Sequence, residues 1–322
     1  MNSLRKILTF RSSNTLWVFI ALVVVFSLFT PNRIFINVRN ISAIGKLFPD
    51  LGIITLGVGM LMVCGEFDLS VAAVLPFCSY VFARLLFIGT SPLISFIVAI
   101  ITGMALGYLN GFITVKTRMP SFITTLGTLW FWRGILYVWS KMMPMSIRTY
   151  VPNNTPFQLA MAGNLTPFFP VQVLWFLIFA VVLGIVLHYH RFGNWVFATG
   201  DNRDAARAMG IKTDMVKIVC YVIVGALCGF CACMQAVRLG SFAATQGVNF
   251  EFKAVAACVV GGTSLRGGIG SMLGIVLGAL IIPIIDNGLI LMRVPVFAIS
   301  AFIGLATILF VLLNTYIERK MR

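Results

Sequence analysis

The chain has 322 residues, of which 60% are hydrophobic and only 10% charged, and its mean hydropathy is +1.00. A soluble domain carries about 25% charged residues, so this composition excludes a water-soluble enzyme. The formal net charge is +15, but the basic residues lie between or beyond apolar runs and form no nucleic-acid-reading motif. This distribution is typical of the flanks of membrane spans, and we expect lipid contact but no nucleic-acid partner.

Apolar segments follow one another along most of the chain. In hydrocarbon a backbone must satisfy its own hydrogen bonds, and near-continuous apolar runs predict helices rather than barrel strands. The predicted spans are about 14–30, 51–65, 69–88, 92–115, 121–140, 171–188, 216–236, 253–264, 270–291 and 296–313. The sequence therefore predicts an all-α polytopic membrane protein with about ten transmembrane helices in a single domain, residues 1–322. An even count places both termini on one side, and the basic residues favour the cytoplasmic side.

Two connections between the predicted spans are long. The first, about 142–170, is rich in Pro and Asn and is expected on the outer, periplasmic side. The second, about 189–215, is expected in the cytoplasm and contains a short helix. There Asp201 or Asn202 supplies the N-cap, alanines propagate the helix, and Gly210 provides the left-handed stop. A capped helix between two spans is suited to contact another protein.

Two other segments, 65–70 and 261–270, are interrupted by glycines and polar residues. They indicate either broken helices of a repeated half-transporter, facing a pathway, or plain short loops. Glu66 and Asp68 in the first segment have three interpretations: a solvated loop with an N-cap by Asp68 and Ser70, the lining of a route or gate, or a structural ion pair. The candidate pathway residues are Glu66, Asp68, Ser70, Asn110, Thr125, Thr263 and Ser264.

No catalytic set is present in the sequence. His188 and His190 are the only histidines and flank the end of a span, and no phosphate-binding loop of the P-loop type occurs. The seven cysteines lie within apolar runs without zinc-ligand spacing. We therefore expect no enzyme activity, metal, disulfide or cofactor. If ATP drives the protein, a partner subunit must bind it.

Four motifs in order carry a family resemblance. They are Gly65-Glu66-Phe67-Asp68-Leu69-Ser70-Val71; Leu109-Asn110-Gly111 followed by Met119 to Thr128 and Arg133-Gly134; Gly193 to Gly210; and Val259 to Leu265 with Gly267-Gly268-Ile269-Gly270-Ser271. Together they resemble the permease subunits of ribose- and galactose-type ABC importers, a binding-protein-dependent family of the bacterial inner membrane. The resemblance covers nearly the whole chain.

The resemblance implies a type II-like importer permease that forms the pathway for a simple sugar or related small polar solute. It also implies a second permease subunit, identical or a sister, a cytoplasmic ABC ATPase and a periplasmic solute-binding protein. The expected ATPase-coupling residues are Asp201, Asn202, Arg203, Asp204, Ala205, Ala206, Arg207 and Gly210. Three residues depart from the family pattern: Glu66 stands where a glycine is usual, Ala72 replaces the usual glycine after Val71, and Arg266 adds a cation to the second glycine-rich segment.

Basic residues at the outer ends of spans are candidates for docking the binding protein. They are Arg148, Arg238, Lys253 and Arg293. Charge complementarity would speed encounter and fix register, while the alternative is that these cations meet only lipid headgroups.

A different class of function also fits the polar residues. In a secondary transporter or channel for a small polar solute, Glu66 and Asp68 would act as coupling carboxylates.

Overall fold

The computed structural model of the chain is predominantly helical, in agreement with the all-α prediction. It describes residues 11–295 apart from residue 167, together with separate positions between 298 and 308. The helices are α1 (Arg11–Phe29), α2 (Val38–Val63), α3 (Val71–Phe87), α4 (Pro92–Thr117), α5 (Ser121–Ser140), α6 (Pro156–Ala162), α7 (Val171–His188), α8 (Arg191–Asp201), α9 (Arg203–Ala208), α10 (Thr213–Leu239), α11 (Phe250–Val260) and α12 (Met272–Leu291). A 3-10 helix, Pro31–Ile36, joins α1 to α2.

Four short strands form two antiparallel pairs outside the helices. The strands are β1 (Met145–Ser146), β2 (Asn164–Thr166), β3 (Phe169–Pro170) and β4 (Ser241–Phe242). In the first pair, β1 and β4, Met145 lies opposite Phe242. The second pair, β2 and β3, lies with α6 and β1 in the predicted 142–170 loop.

Five of the helices are long and apolar enough to cross a membrane. They are α2, α4, α7, α10 and α12. The apolar part of α1, Thr15–Phe29, and α3 have the same character over a shorter length. This supports a multi-pass membrane protein, but not the full count of ten spans. The predicted last span, 296–313, lies largely outside the described residues.

The predicted second span, 51–65, begins much too late. Helix α2 starts at Val38, because the side chain of Asn37 accepts a hydrogen bond from the Arg39 backbone N–H at 2.9 Å and caps the helix. The added first half carries polar residues, so apolar counting missed it. Asp50 is only 2% exposed inside α2, where Gln235 donates to it at 3.0 Å and Arg238 pairs with it.

Helices α4 and α10 pack with their backbones in contact. A Cβ placed on Gly103 would lie 2.1 Å from the Gly225 carbonyl oxygen, and one on Gly107 would lie 2.3 Å from the Tyr221 carbonyl oxygen. Small residues spaced by four bring helices this close where the surrounding lipid supplies no hydrophobic driving force. This pair lies beside α2, which is buried along most of its length.

Two non-helical connectors matter for the site. The first connector, residues 64–70, joins α2 to α3, and the second connector, residues 261–271, joins α11 to α12. They coincide with the two glycine-rich segments of the sequence. Helix α11 has only 11 residues, about 17 Å at 1.5 Å per residue, which is shorter than the hydrocarbon core of a bilayer.

Candidate functional site

The first connector is held by side chains from three surrounding helices. Asp68 accepts hydrogen bonds from the Ser70 backbone N–H at 2.8 Å and the Ser70 hydroxyl at 2.6 Å. Asn110 of α4 donates to the same hydroxyl oxygen at 2.6 Å, and Thr125 of α5 accepts from the Leu69 N–H at 3.1 Å. Asp68, Ser70, Asn110 and Thr125 are all buried. The carboxylate thus fixes the turn that begins α3.

Helix α10 closes the other side of this connector. Lys217 forms an ion pair with Glu66, and both side chains are about nine-tenths buried. The Tyr221 hydroxyl, one turn further along α10, donates to the Phe67 carbonyl oxygen at 2.9 Å. Glu66, which stands where the family has glycine, therefore binds the connector to α10.

These contacts bring together five of the seven predicted pathway residues: Glu66, Asp68, Ser70, Asn110 and Thr125. Of the three interpretations of the two carboxylates, the geometry matches the ion pair for Glu66 and the local turn for Asp68. Neither carboxylate is solvated as a loop residue would be. Whether any of the seven contacts a solute stays a prediction.

The remaining two predicted residues, Thr263 and Ser264, lie in the second connector. Ser264 accepts at its hydroxyl from the Arg266 N–H at 3.1 Å and donates its own N–H to the Ile269 carbonyl at 2.9 Å. Thr263 is buried, and its hydroxyl has no hydrogen-bond partner among the described residues. Ser264 and Arg266 are more exposed and shape a tight turn.

Three chain segments meet with their backbones in contact at what we call the glycine junction: Gly65, Gly200 at the end of α8, and Gly267 with Gly268. The Gly268 N–H donates to the Val63 carbonyl at 2.8 Å. A Cβ on Gly200 would lie 1.9 Å from that carbonyl oxygen and 2.6 Å from the Gly268 nitrogen, and one on Gly267 would lie 2.7 Å from the Gly65 Cα. A side chain therefore has no space at Gly200, Gly267 or Gly268, and Gly65 has a left-handed φ of 86°.

The predicted short helix in the 189–215 loop is present as α9. Asn202 is its N-cap and accepts from the backbone N–H groups of Asp204 at 3.1 Å and Ala205 at 3.0 Å. Gly210 ends it with a left-handed φ of 84°. Of the two predicted caps, Asn202 is the one used, since Asp201 is the last residue of α8.

Helix α9 is tied to α10 by charge. Arg203 and Arg207 each donate to the same Asp214 oxygen, at 2.7 Å and 2.6 Å. The outer surface of α9 is exposed except at Ala206, and Met209 is 83% exposed. The prediction omitted Met209, although a large apolar residue beside the stop glycine in a polar loop was the available signal.

The four basic residues expected at the outer face differ in their surroundings. Arg238 pairs with Asp50, and Lys253 pairs with Asp286 at 2.6 Å. Both form ion pairs within the chain, and whether they dock a partner stays a prediction. Arg148 and Arg293 are exposed, and the side chain of Arg148 lies against Gly240.

Sequence reasoning missed another buried polar group. Arg133 of α5 donates to the Ala72 carbonyl oxygen at 2.6 Å. Gln246 and Glu251 are also buried. In the sequence, Arg133 stands out only as part of a family motif, and no local pattern marks Gln246 or Glu251. The seven cysteines are buried in the interior, where they pack among apolar side chains.

Comparison with known proteins gives consistent matches along the chain. The family described as "Branched-chain amino acid transport system / permease component" matches residues 40–316. A xylose/arabinose import permease protein from Sulfolobus acidocaldarius is 33% identical over 298 residues, which are 89% of this chain and 81% of that protein. A ribose import permease protein from Bacillus subtilis is 34% identical over 293 residues, 91% of this chain and 89% of that protein.

An autoinducer 2 import system permease protein from Yersinia enterocolitica is 29% identical over 269 residues, 82% of this chain and 72% of that protein. No solved structure matches the chain. The matched region includes both connectors, the glycine junction and α9. The chain therefore belongs to this permease family and is a multi-pass membrane permease of an ABC import system.

Proposed function

We propose that the chain forms the translocation pathway for a simple sugar, or a related small polar solute, that a periplasmic binding protein delivers. The observation that carries this proposal is the near-full-length match to two import permeases that are named for ribose and for xylose/arabinose. Both exceed 30% identity and cover about nine-tenths of the chain. The protein itself performs no chemistry in this proposal.

The proposed assembly contains a second permease subunit, identical or a sister, and an ABC ATPase on the cytoplasmic face of the bacterial inner membrane. Both termini and α9 lie on that face, and the chain crosses the membrane about ten times. The two connectors then act as interruptions of spans beside the pathway. Support for this orientation comes from the basic residues of the 189–215 segment and of both termini.

We assign ATPase coupling to α9. Its capped ends, its exposed surface and the protruding Met209 suit a rigid element that inserts into another protein. Two sets of contacts connect α9 to the interior of the protein. Arg203 and Arg207 connect it to α10 through Asp214, and Gly200, just before it, packs between the two connectors. A displacement of α9 would thus reach both connectors.

The alternative of a secondary transporter has no observation in its favour. Its coupling carboxylates would be Glu66 and Asp68, but Glu66 is paired with Lys217 and Asp68 is bound by Ser70. A carboxylate engaged in this way is poorly placed to take up and release a coupling ion in each cycle. The family match also favours an ATP-driven system.

The test is reconstitution of the permease with its ATPase and binding protein in proteoliposomes. We expect ATP-dependent uptake of ribose, xylose or arabinose, and no uptake when the binding protein is omitted. In Gly210→Val the β-branched residue cannot adopt the left-handed stop, so ATPase stimulation and uptake should fall together. Gly210→Asn is the matched control, since Asn tolerates that conformation. Uptake without ATP, driven by an ion gradient, would contradict the proposal.

A further inference from the structure

Three buried polar side chains away from the first connector have atoms with unused hydrogen-bonding capacity. In the described part of the chain, the Nε of Arg133, both amide atoms of Gln246 and the Oε2 of Glu251 have no partner. The three side chains belong to residues only 9%, 7% and 6% exposed. A buried polar atom without a partner costs about 1–3 kcal/mol. Several in one region therefore require an explanation.

The three residues lie on segments that meet on one side of α3, where Val255, one turn after Glu251, packs against the cluster that contains Ala72. Arg133 donates to the Ala72 carbonyl oxygen at 2.6 Å. A Cβ on Gly247, the neighbour of Gln246, would lie 3.7 Å from that same oxygen. The Arg133 charge also acts on the Glu251 carboxyl group. Helix α5, the turn before α11 and the first turn of α11 thus contribute one group each.

The position along the helices places this cluster deep in the protein. Arg133 lies in the middle third of α5, whose 20 residues extend over about 30 Å. Residues 121–140 are one of the predicted spans, and an ionisable side chain inside a span is by default a hypothesis for a functional site. Solute sites in transporters are commonly built at this depth beside interrupted helices, and the short helix α11 starts here.

An apolar surface borders the polar groups. Leu69, Ala72, Ala73 and Leu129 form a small buried cluster separate from the main core, and Trp132 packs against it. A sugar presents hydroxyl groups at its edge and C–H groups on its faces. A surface that is polar on one side and apolar on the other complements both.

We propose that Arg133, Gln246 and Glu251 form an occluded binding site for a neutral polyhydroxylated solute within the permease. This inference rests on the proposed function and names residues for its pathway that differ from the predicted ones. The opposite charges of Arg133 and Glu251 cancel, which disfavours a charged solute. The guanidinium and amide N–H groups donate and the carboxylate and amide oxygens accept, so together they match hydroxyl groups, which do both.

The decisive variant is Gln246→Leu in the full importer. It keeps the size of the side chain and removes two unpaired buried polar atoms, so the melting temperature should be unchanged or higher. Uptake of ribose, xylose and arabinose should nevertheless fall about tenfold or more, because a hydrogen-bonding group of the site is lost. Gln172→Leu is the matched control. Gln172 of α7 is equally buried with both amide atoms unpaired among the described residues, and its substitution should leave uptake intact.

Glu251→Gln is the second variant, which keeps shape and removes charge. We expect it to lower uptake of all three sugars while the complex with the ATPase still forms. Normal uptake by both variants would overturn the site, as would a lower melting temperature for Gln246→Leu, which would mark Gln246 as structural. Failure of the unsubstituted importer to take up any of the three sugars would instead overturn the proposed function, and with it the solute class of the site.

Discussion

The two connectors are held in place by different kinds of contact, the first by side chains and the second by close backbone packing. In the first connector, Thr125 of α5, Tyr221 of α10 and its own Asp68 bond the backbone, while an amide of α4 and a lysine of α10 bind its side chains. The second connector contains few side-chain contacts and is packed by glycines against Gly65 and Gly200. A side-chain network can be weakened one group at a time, whereas glycine packing tolerates no added atom. The two should therefore fail differently when substituted.

The largest effect is expected at the first connector from Lys217→Met. It leaves the buried Glu66 carboxylate without its partner, which costs about 3–5 kcal/mol. The free energy of unfolding, measured in detergent, should fall by about this amount. The double variant Glu66→Gln with Lys217→Met removes both charges and should recover most of the loss. Equal stability of the single and the double variants would show that the ion pair does not hold this connector.

At the glycine junction, Gly200→Ala tests the opposite mode of packing. Its Cβ would lie 1.9 Å from the Val63 carbonyl oxygen, and forced overpacking of this kind costs about 1–3 kcal/mol. We expect sugar uptake to be lost while ATP hydrolysis persists, because α8 no longer fits between the connectors. The matched control is Gly127→Ala on α5, where no described atom lies within 4 Å of the new Cβ. Loss of uptake in both variants would show that any added methyl group is harmful.

A smaller loss of stability is expected from a substitution that weakens α9 and leaves both connectors intact. Asn202→Ala removes the N-cap, which costs about 1 kcal/mol. The affinity of the permease for its ATPase should fall, and the melting temperature of the permease alone should change little. Asn202→Asp preserves the cap and should behave as the parent. A large drop in melting temperature would mean that α9 stabilises the connectors directly.

The smallest effect on stability is expected at two exposed basic residues, Arg148 beside the end of α10 and Arg293 just after α12. The double variant Arg148→Glu with Arg293→Glu should leave stability within about 0.5 kcal/mol. It should lower stimulation of the ATPase by the loaded binding protein at low salt. The difference from the parent should narrow as salt is raised, since screening weakens the attraction that the parent retains. A difference independent of salt would contradict docking through charge.

How far the sequence predicts these features depends on whether the interactions are local. The cap of α9 depends on residues two and three positions away, so the sequence narrowed the N-cap to Asp201 or Asn202 and identified Gly210 as the stop. The first half of α2 was missed because its polar residues find partners from distant segments: Asn40 bonds with Asn287 at 3.0 Å, and Asp50 pairs with Arg238. Apolar counting treats such residues as loop.

In the candidate site, too, local features were predicted and contacts between distant segments were missed. The polar residues of the first connector were identified because they interrupt an apolar run, but the partner of Glu66 is 151 residues away and no local pattern points to Lys217. The glycines of the junction were recognised as a motif. Their mutual contact was not predicted, because it joins three segments that are remote in the chain.

The backbone contact between α4 and α10 has a mechanical consequence. Where the two helices approach through Gly103 and Gly225, backbone meets backbone, and no side chain lies between them there that could change rotamer to absorb a shift. A displacement of one helix is therefore transmitted directly to the other. Asn110 on α4 and Lys217 on α10 both contact the first connector. The two helices therefore move this connector as one rigid unit. Motion during transport must then concentrate in segments outside the pair.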